Sequence, residues 1–439
     1  MLRQIRYVLL MAVTAVLVGA TDGAAQTAFV NARVLPMTEE IVHEGWTVVV
    51  DGDRIVAAGP NDAIEVPPSA LRIDGTDKYL IPGLAEMHGH IPPPEPDRAY
   101  VESVLLLFVA NGITTVRGML GEAGQPALQE EIRSGRTLGP TLYLAGPSFS
   151  GGSIQSPEQA EARARAQAEE GWDFLKVHPG LTRAEYDAMA NAAHEEGIPF
   201  VGHIPSEVGL IHAVEMGQQT IDHLDGYIQY IADEHGAIDA DRLEEAVDLT
   251  MSEGVWVVPT MALWETILGA PETRRLEAYP ELRFMPPDLV AGWSRSHEQR
   301  RSAASFDQAA VDGITSSRID LLKSLNDVGA RILLGTDAPQ QFSVPGFSLR
   351  REFPLMQAAG MTPYEILVSG SRAVGEYLAD KDTFGTVSEG SRADLILLDA
   401  NPLEDIMNVF DRTGVMVRGR WLSEAEIQDR LAALAESYD

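Results

Sequence analysis

Eight short apolar runs recur along the middle of the chain, separated by segments with helical start and stop signals, and this alternation limits the fold more than any other feature. The candidate strands are 79–90, 112–119, 140–146, 172–178, 199–204, 219–225, 255–261 and 331–337. Between them, Thr182 with Glu185 spells a capping box and Gly197 a stop. Ser156, Pro157 and Gln159 open a helix that Gly171 closes, and Thr362, Pro363 and Glu365 open another. An open doubly wound sheet would use the same alternation, but eight strands within about 300 residues fit a closed barrel. The predicted fold is therefore α/β, a (β/α)8 TIM barrel over 81–384. Residues 262–330 separate the last two strands by far more than one helix needs, and Pro286-Pro287 and Trp293 there predict a helical insertion that acts as a lid.

The two ends of the chain read differently. Residues 27–80 carry short β-rich runs, with Asp51-Gly52 as a hairpin signal, and 385–422 repeat that style. Neither piece is large enough to bury a core alone, so the two are expected to combine into one small β-sandwich domain, followed by a C-terminal helix over 423–439.

Charge and composition narrow the partners. The formal net charge is −32, which repels nucleic acid and anionic lipid and leaves a small-molecule substrate as the expected partner. A surface this acidic repels itself unless counterions screen it, which points to a salt-adapted host. Cysteine is absent, so the fold has no disulfides to lean on. Arg3 and Arg6, the apolar stretch 7–19 and the small residues after it have the layout of a secretory signal peptide over 1–25. An uncleaved anchor is the alternative, although the stretch is short for a membrane span. A periplasmic or secreted protein, free of the membrane after cleavage and able to form a homo-oligomer, is the expectation.

Chemistry-bearing residues gather where the barrel strands end. In an extended segment residues i and i+2 share a face, so His88 and His90 point one way, as two ligands on one metal ion would. Lys176, His203, His223 and Asp337 each fall at the end of a later strand, and in a barrel those ends surround one mouth. His43, His194, His212, His235 and His297 lie in loops or on helices and read as ordinary surface or hydrogen-bonded residues. Alternation adds His178, two past Lys176, and Asp225 and Tyr227, two and four past His223. Tyr227 reads either as a donor to a substrate carbonyl or as packing under a loop. Arg117, inward on the second strand, reads either as a clamp on a substrate carboxylate or as half of a structural ion pair.

The set His88-Gly-His90, Lys176, His203, His223 and Asp337, in that order, resembles the amidohydrolase superfamily. So do Ile81-Pro-Gly-Leu-Ala-Glu-Met, Gly112-Ile-Thr-Thr-Val-Arg, Leu334-Gly-Thr-Asp and the run from Gly390 to Leu403. Among its members the chain is most similar to imidazolonepropionase-like proteins and the Xaa-Pro dipeptidases grouped with them. The resemblance implies two divalent metal ions bridged by a carbon dioxide-derived carbamate on Lys176; nitrogen and oxygen ligands in an open site favour zinc, with manganese or iron as alternatives. His88, His90 and Asp337 would hold one ion and His203 and His223 the other. It also implies a metal-bridging hydroxide that attacks an amide-type C–N bond, of a dipeptide or N-acyl amino acid, with Asp337 moving the proton. The alternatives are hydrolysis of a lactone, ester or other carboxylic derivative on the same site, and a catalytically silent binding protein.

Overall fold

The structure is a computed structural model and describes residues 26–438. The signal-peptide expectation for 1–25 falls outside those residues.

Both chain ends contribute to one eight-stranded sheet. Its N-terminal strands are Thr27–Val34, His43–Asp51, Arg54–Pro60, Leu71–Asp74 and Tyr79–Pro82, and its C-terminal strands are Leu395–Leu398, Arg412–Val417 and Arg420–Ser423. The expected hairpin forms with Asp51 paired to Arg54, and Gly52 takes the left-handed φ of +58° that a tight turn needs. The ends meet where Tyr79–Pro82 pairs antiparallel with Leu395–Leu398. The sheet then curls: Ile55 N–H donates to Ser391 O at 2.9 Å, and Phe29 meets Trp421 edge-on at 5.3 Å although their strands are far apart in the sheet order. One continuous curled sheet thus encloses Phe29, Val48, Leu80, Leu395 and Met416, where two sandwich layers were expected.

The expected strand 79–90 divides at Gly83. Gly83 N–H donates to Asp394 O in the first sheet, while Leu84 N–H donates to Gly112 O in the next, so the chain changes sheets at this residue. A Cβ on Gly83 would lie 2.2 Å from Thr114 Oγ1, so the two sheets approach only because glycine stands here.

The middle of the chain is mixed α/β. Leu84–Gly89, Ile113–Gly118 and Thr141–Leu144 form a three-stranded parallel sheet. Leu175–Val177, Phe200–Gly202, Thr220–Asp222, Trp256–Val258 and Arg331–Ile332 form a five-stranded one. The edges of the two sheets are hydrogen-bonded at both sides: Gly146 N–H donates to Phe174 O at 2.9 Å, and Met87 N–H to Leu334 O at 2.8 Å. The capping signals act as expected. Thr182 and Glu185 form a reciprocal box, Ser156 accepts from Gln159 N–H, and Gly171 and Gly197 are left-handed stops.

The 262–330 stretch contains two kinds of helix. Gln308–Asp327 packs beside Ala240–Glu253 and Leu349–Ala358 as the connection between the last two strands. The extra material is the earlier part: Met261–Leu268, Thr273–Leu276, the 3-10 turn Pro280–Phe284 and Pro287–Arg301. It leans on the loop after Asp337, with the Trp293 and Phe342 rings 5.8 Å apart. The C-terminal helix, Glu424–Glu436, packs against Arg98–Ala110. Among the described residues no helix is long and apolar enough to cross a membrane.

Candidate metal centre

His88 and Lys176 lie inside their strands, whereas His90, His203, His223 and Asp337 follow the strand ends, and at two of these the backbone turns sharply. His223 and Asp337 sit at φ +63° and +58°, and Thr260 at +45°, values that non-glycine residues rarely adopt. Such turns throw the side chains sideways into one cluster, which is why they persist despite a cost of order 1–3 kcal/mol each.

His88, His90 and Asp337 offer ligand atoms that all lie within 4.8 Å of one another. His90 Nε2 is 2.6 Å from Asp337 Oδ1; His88 Nε2 is 3.7 Å from the same oxygen, and His223 Nε2 is 3.6 Å from Oδ2. The His203 and His223 rings are 4.5 Å apart, and His88 and His223 4.2 Å. Lys176 is fully buried, with Nζ 3.1 Å from His88 Nε2 and no carboxylate within 4.0 Å among the described residues. Burial lowers its ammonium to about 8, while Asp222 and Asp337 pull the other way.

Three imidazoles are clamped from behind. His88 Nδ1 is 2.7 Å from Asp222 Oδ2, His203 Nδ1 2.6 Å from Asp225 Oδ2, and His223 Nδ1 2.7 Å from Thr260 Oγ1. The two carboxylates accept from Nδ1–H of His88 and His203 and leave Nε2 as the free nitrogen, and the Thr260 hydroxyl orients the His223 ring, the usual support for a ligating histidine. His223 Nε2 is buried and makes no hydrogen bond, and Asp337 Oδ1 meets only the ring nitrogens of His90 and His88. Buried acceptors of this kind, facing other nitrogen and oxygen donors, fit a divalent cation.

Behind the cluster, Glu86 is fully buried, accepts from Thr336 N–H at 2.7 Å and His88 N–H at 3.1 Å, and is pushed up to about 8 by that burial. Glycine makes room for the lysine. A Cβ on Gly202, at φ +120°, would stand 3.1 Å from Lys176 Cδ and 2.6 Å from Val177 O.

Two of the substrate-contact expectations are corrected. Arg117 is fully buried and already engaged: Nε donates to Met87 O at 2.6 Å, Nη1 to Thr220 Oγ1 at 3.1 Å and Nη2 to Asp222 at 3.2 Å. No donor face is left for a substrate carboxylate, so the structural ion pair is the reading that stands. Tyr227 is also buried, and its hydroxyl meets Thr250 Oγ1 at 2.6 Å. The strand has ended by then and Tyr227 opens the short helix Tyr227–Ile231, so i+4 alternation from His223 does not apply. His178 does reach the cluster, its ring stacked 4.9 Å from His203. The remaining histidines lie elsewhere, His194 bonded to Met216 O and His297 to Thr273 Oγ1.

Asp222, Thr260 and Glu86 were not singled out in the sequence. Asp222 had one readable signal: with Thr220 it shares the strand face opposite Arg117, a buried cation in need of a partner.

The chain is similar to known proteins over most of its length. The chain is 25% identical over 392 residues to adenine deaminase 2 of Bradyrhizobium sp. (strain ORS 278), covering 84% of this chain and 54% of that protein. It thus spans about half the length of that relative. It is 25% identical over 387 residues to imidazolonepropionase of Rubrobacter xylanophilus, covering 81% of this chain and 84% of that one. A crystal structure of a Xaa-Pro dipeptidase with bound methionine in its active site superposes with a TM-score of 0.67 and 21% identity, over 91% of this chain and all of that one. The model of the amidohydrolase family matches residues 79–422, from the last N-terminal strand of the curled sheet to its C-terminal strand, and the chain belongs to that family.

Proposed function

We propose that this protein is a metal-dependent hydrolase that cleaves an amide-type C–N bond in a dipeptide or N-acyl amino acid, at the mouth of a (β/α)8 barrel. The hydrogen bonds at both edges of the two parallel sheets support closure into one barrel, and family membership supports the hydrolytic class. The observation that carries the reading is the clamping of His88, His203 and His223 through Nδ1, with the Nε2 atoms of His88 and His223 turned toward Asp337.

His88, His90 and Asp337 would hold one divalent ion, and His203 and His223 the other. Lys176, buried and without an anionic partner, would become a shared oxygen ligand after reaction of its neutral amine with carbon dioxide. When bound, such ions lower the pKa of a water toward about 7 and polarise a carbonyl. Asp337 then has the proton-carrying role: its carboxylate faces the cluster and can take a proton from the attacking water and return it to the leaving nitrogen. His178 stands beside His203 and would face an incoming substrate. The Xaa-Pro dipeptidase likeness supports a dipeptide or related substrate.

The test is an assay of metal-loaded, bicarbonate-treated protein against dipeptides, N-acyl amino acids and lactones. Turnover of the amides, lost together with bound metal in Lys176→Ala, is expected. Turnover confined to lactones or esters, or full activity in Lys176→Ala, would overturn the reading.

A further inference from the structure

Thr260 stands immediately before the helix Met261–Leu268, where a threonine ordinarily caps the first free N–H groups, yet its side chain makes no such bond. Its hydroxyl meets His223 Nδ1 at 2.7 Å instead. The cap comes from another helix. Glu352, fully buried on Leu349–Ala358, accepts from Met261 N–H at Oε1 and from Ala262 N–H at Oε2, both at 2.8 Å. A carboxylate placed there satisfies two orphan donors and meets the positive end of the helix dipole.

Arg318, buried on Gln308–Asp327, holds the other side of the same turn. Its Nη2 donates to His223 O at 2.6 Å and to Pro259 O at 3.4 Å, and its guanidinium lies 4.8 Å from the centre of the Trp264 ring. Arg318 therefore ties the left-handed turn at His223 to the one at Thr260. Burial disfavours charge on both groups, lowering Arg318 to about 10 and raising Glu352 to about 7, and each opposes the other's shift. A left-handed threonine is strained on its own and persists only where its surroundings fix it. Here residues 259–262 are bonded from both sides.

We propose that Glu352 and Arg318 are positioning residues for the metal centre. Glu352 caps the helix in place of Thr260, Arg318 fixes the Pro259 and His223 carbonyls, and together they commit the Thr260 hydroxyl to His223. Both act through backbone groups of the turn, so neither needs to reach the cluster itself. The inference deepens the hydrolase reading and rests on it in one respect, that His223 is a metal ligand. Without the Glu352 carboxylate the helix start lacks an acceptor, the Thr260 hydroxyl turns back to cap it, and His223 Nδ1 loses its partner.

The experiment is a double-mutant cycle of Glu352→Gln and Thr260→Val with two readouts. In metal-free protein the His223 Nδ1 resonance is followed by long-range proton–nitrogen correlation NMR of the imidazole rings, and is assigned by its absence in His223→Asn. In zinc-loaded protein the affinity is measured by competition with a chelator. Thr260→Val removes the hydroxyl and is expected to move the resonance and weaken zinc binding about 10- to 100-fold. Glu352→Gln keeps one acceptor and turns a donor toward the second N–H. It is expected to move the resonance in the same direction and weaken zinc binding about ten-fold, with no further loss in the Thr260→Val background. Glu352→Asp, which keeps the charge beside Arg318 on a shorter stem, covers the case in which Glu352→Gln does not fold. Arg318→Lys keeps its charge but not the fixed plane of donors, and is expected to move the same resonance. An unmoved His223 resonance in the folded Glu352 or Arg318 variants, or losses of zinc affinity that add in the double variant, would overturn the inference, since a residue that supports only the helix leaves the Thr260–His223 contact in place. Failure of the hydrolase reading is separable: the resonance would move as expected, yet the protein would hold no zinc and cleave no amide.

Discussion

At the scale of single residues, the centre depends on contacts one step behind the histidines. Asp222 holds His88 through Oδ2 and Arg117 through both oxygens, so it fixes a candidate ligand and neutralises a buried cation at once. Replacing it with alanine strands Arg117 and costs about 3–5 kcal/mol in stability. Asp225→Ala is milder, because it frees only His203; metal affinity should fall about 10- to 100-fold, read by competition with a chelator, while the unfolding midpoint changes little. An equal affinity in wild type and variant would mean that His203 is not a ligand. Gly202→Ala should press on Lys176 Cδ and Cε and also on Val177 O, which accepts from His203 N–H, at a φ of +120°, and so lower metal content without removing any donor. Most donors were legible from residue type and spacing, since His88, His90, Lys176, His203, His223 and Asp337 each follow an apolar run. Their supports were not. Asp222 lies 134 residues from His88, and Thr260 lies 37 from His223, so only the folded chain brings the partners together.

At the scale of elements, the strand starts were readable and the strand ends were not. The apolar runs continue past the hydrogen-bonded ladders: left-handed residues follow at His223, Thr260 and Asp337 while the side chains remain buried. Tyr227 shows the consequence: its position depends on a helix that begins after such a turn, and period-2 counting carries no information there. The division at Gly83 was hidden for a related reason, since the residue sits inside one unbroken apolar run. Gly83→Ala should force the two sheets apart at Thr114 and destabilise the protein by about 1–3 kcal/mol, measured by denaturant titration. A neutral substitution would show that the sheets can separate freely at this point.

At the scale of the whole molecule, the chain ends are tied by charge as well as by the sheet. Arg392 contacts Asp382 and Asp394 at 2.7 and 2.6 Å, and Arg54 joins from the N-terminal strands at 2.9 Å from Asp382. Burial favours the neutral form of Asp382, but the two arginines outweigh it and hold the carboxyl below its ordinary 3.8. Its contribution is therefore complete above about pH 4 and declines as pH falls through the lowered value. Asp382→Asn should lower stability by about 1 kcal/mol at pH 7, with the gap to wild type narrowing on acidification below pH 3.8. A gap that widens in acid would reverse the assignment. The net charge of −32 acts on the same scale, and stability should rise between low and molar salt.

The most direct test of the centre is the metal content of the purified, bicarbonate-treated protein, measured by elemental analysis beside Lys176→Ala and Asp337→Ala. About two divalent ions per chain are expected in wild type, with at least one lost in each variant and catalysis lost with it. Wild type that binds no metal, or variants that keep both ions, would contradict a metal centre built from His88, His90, Lys176, His203, His223 and Asp337.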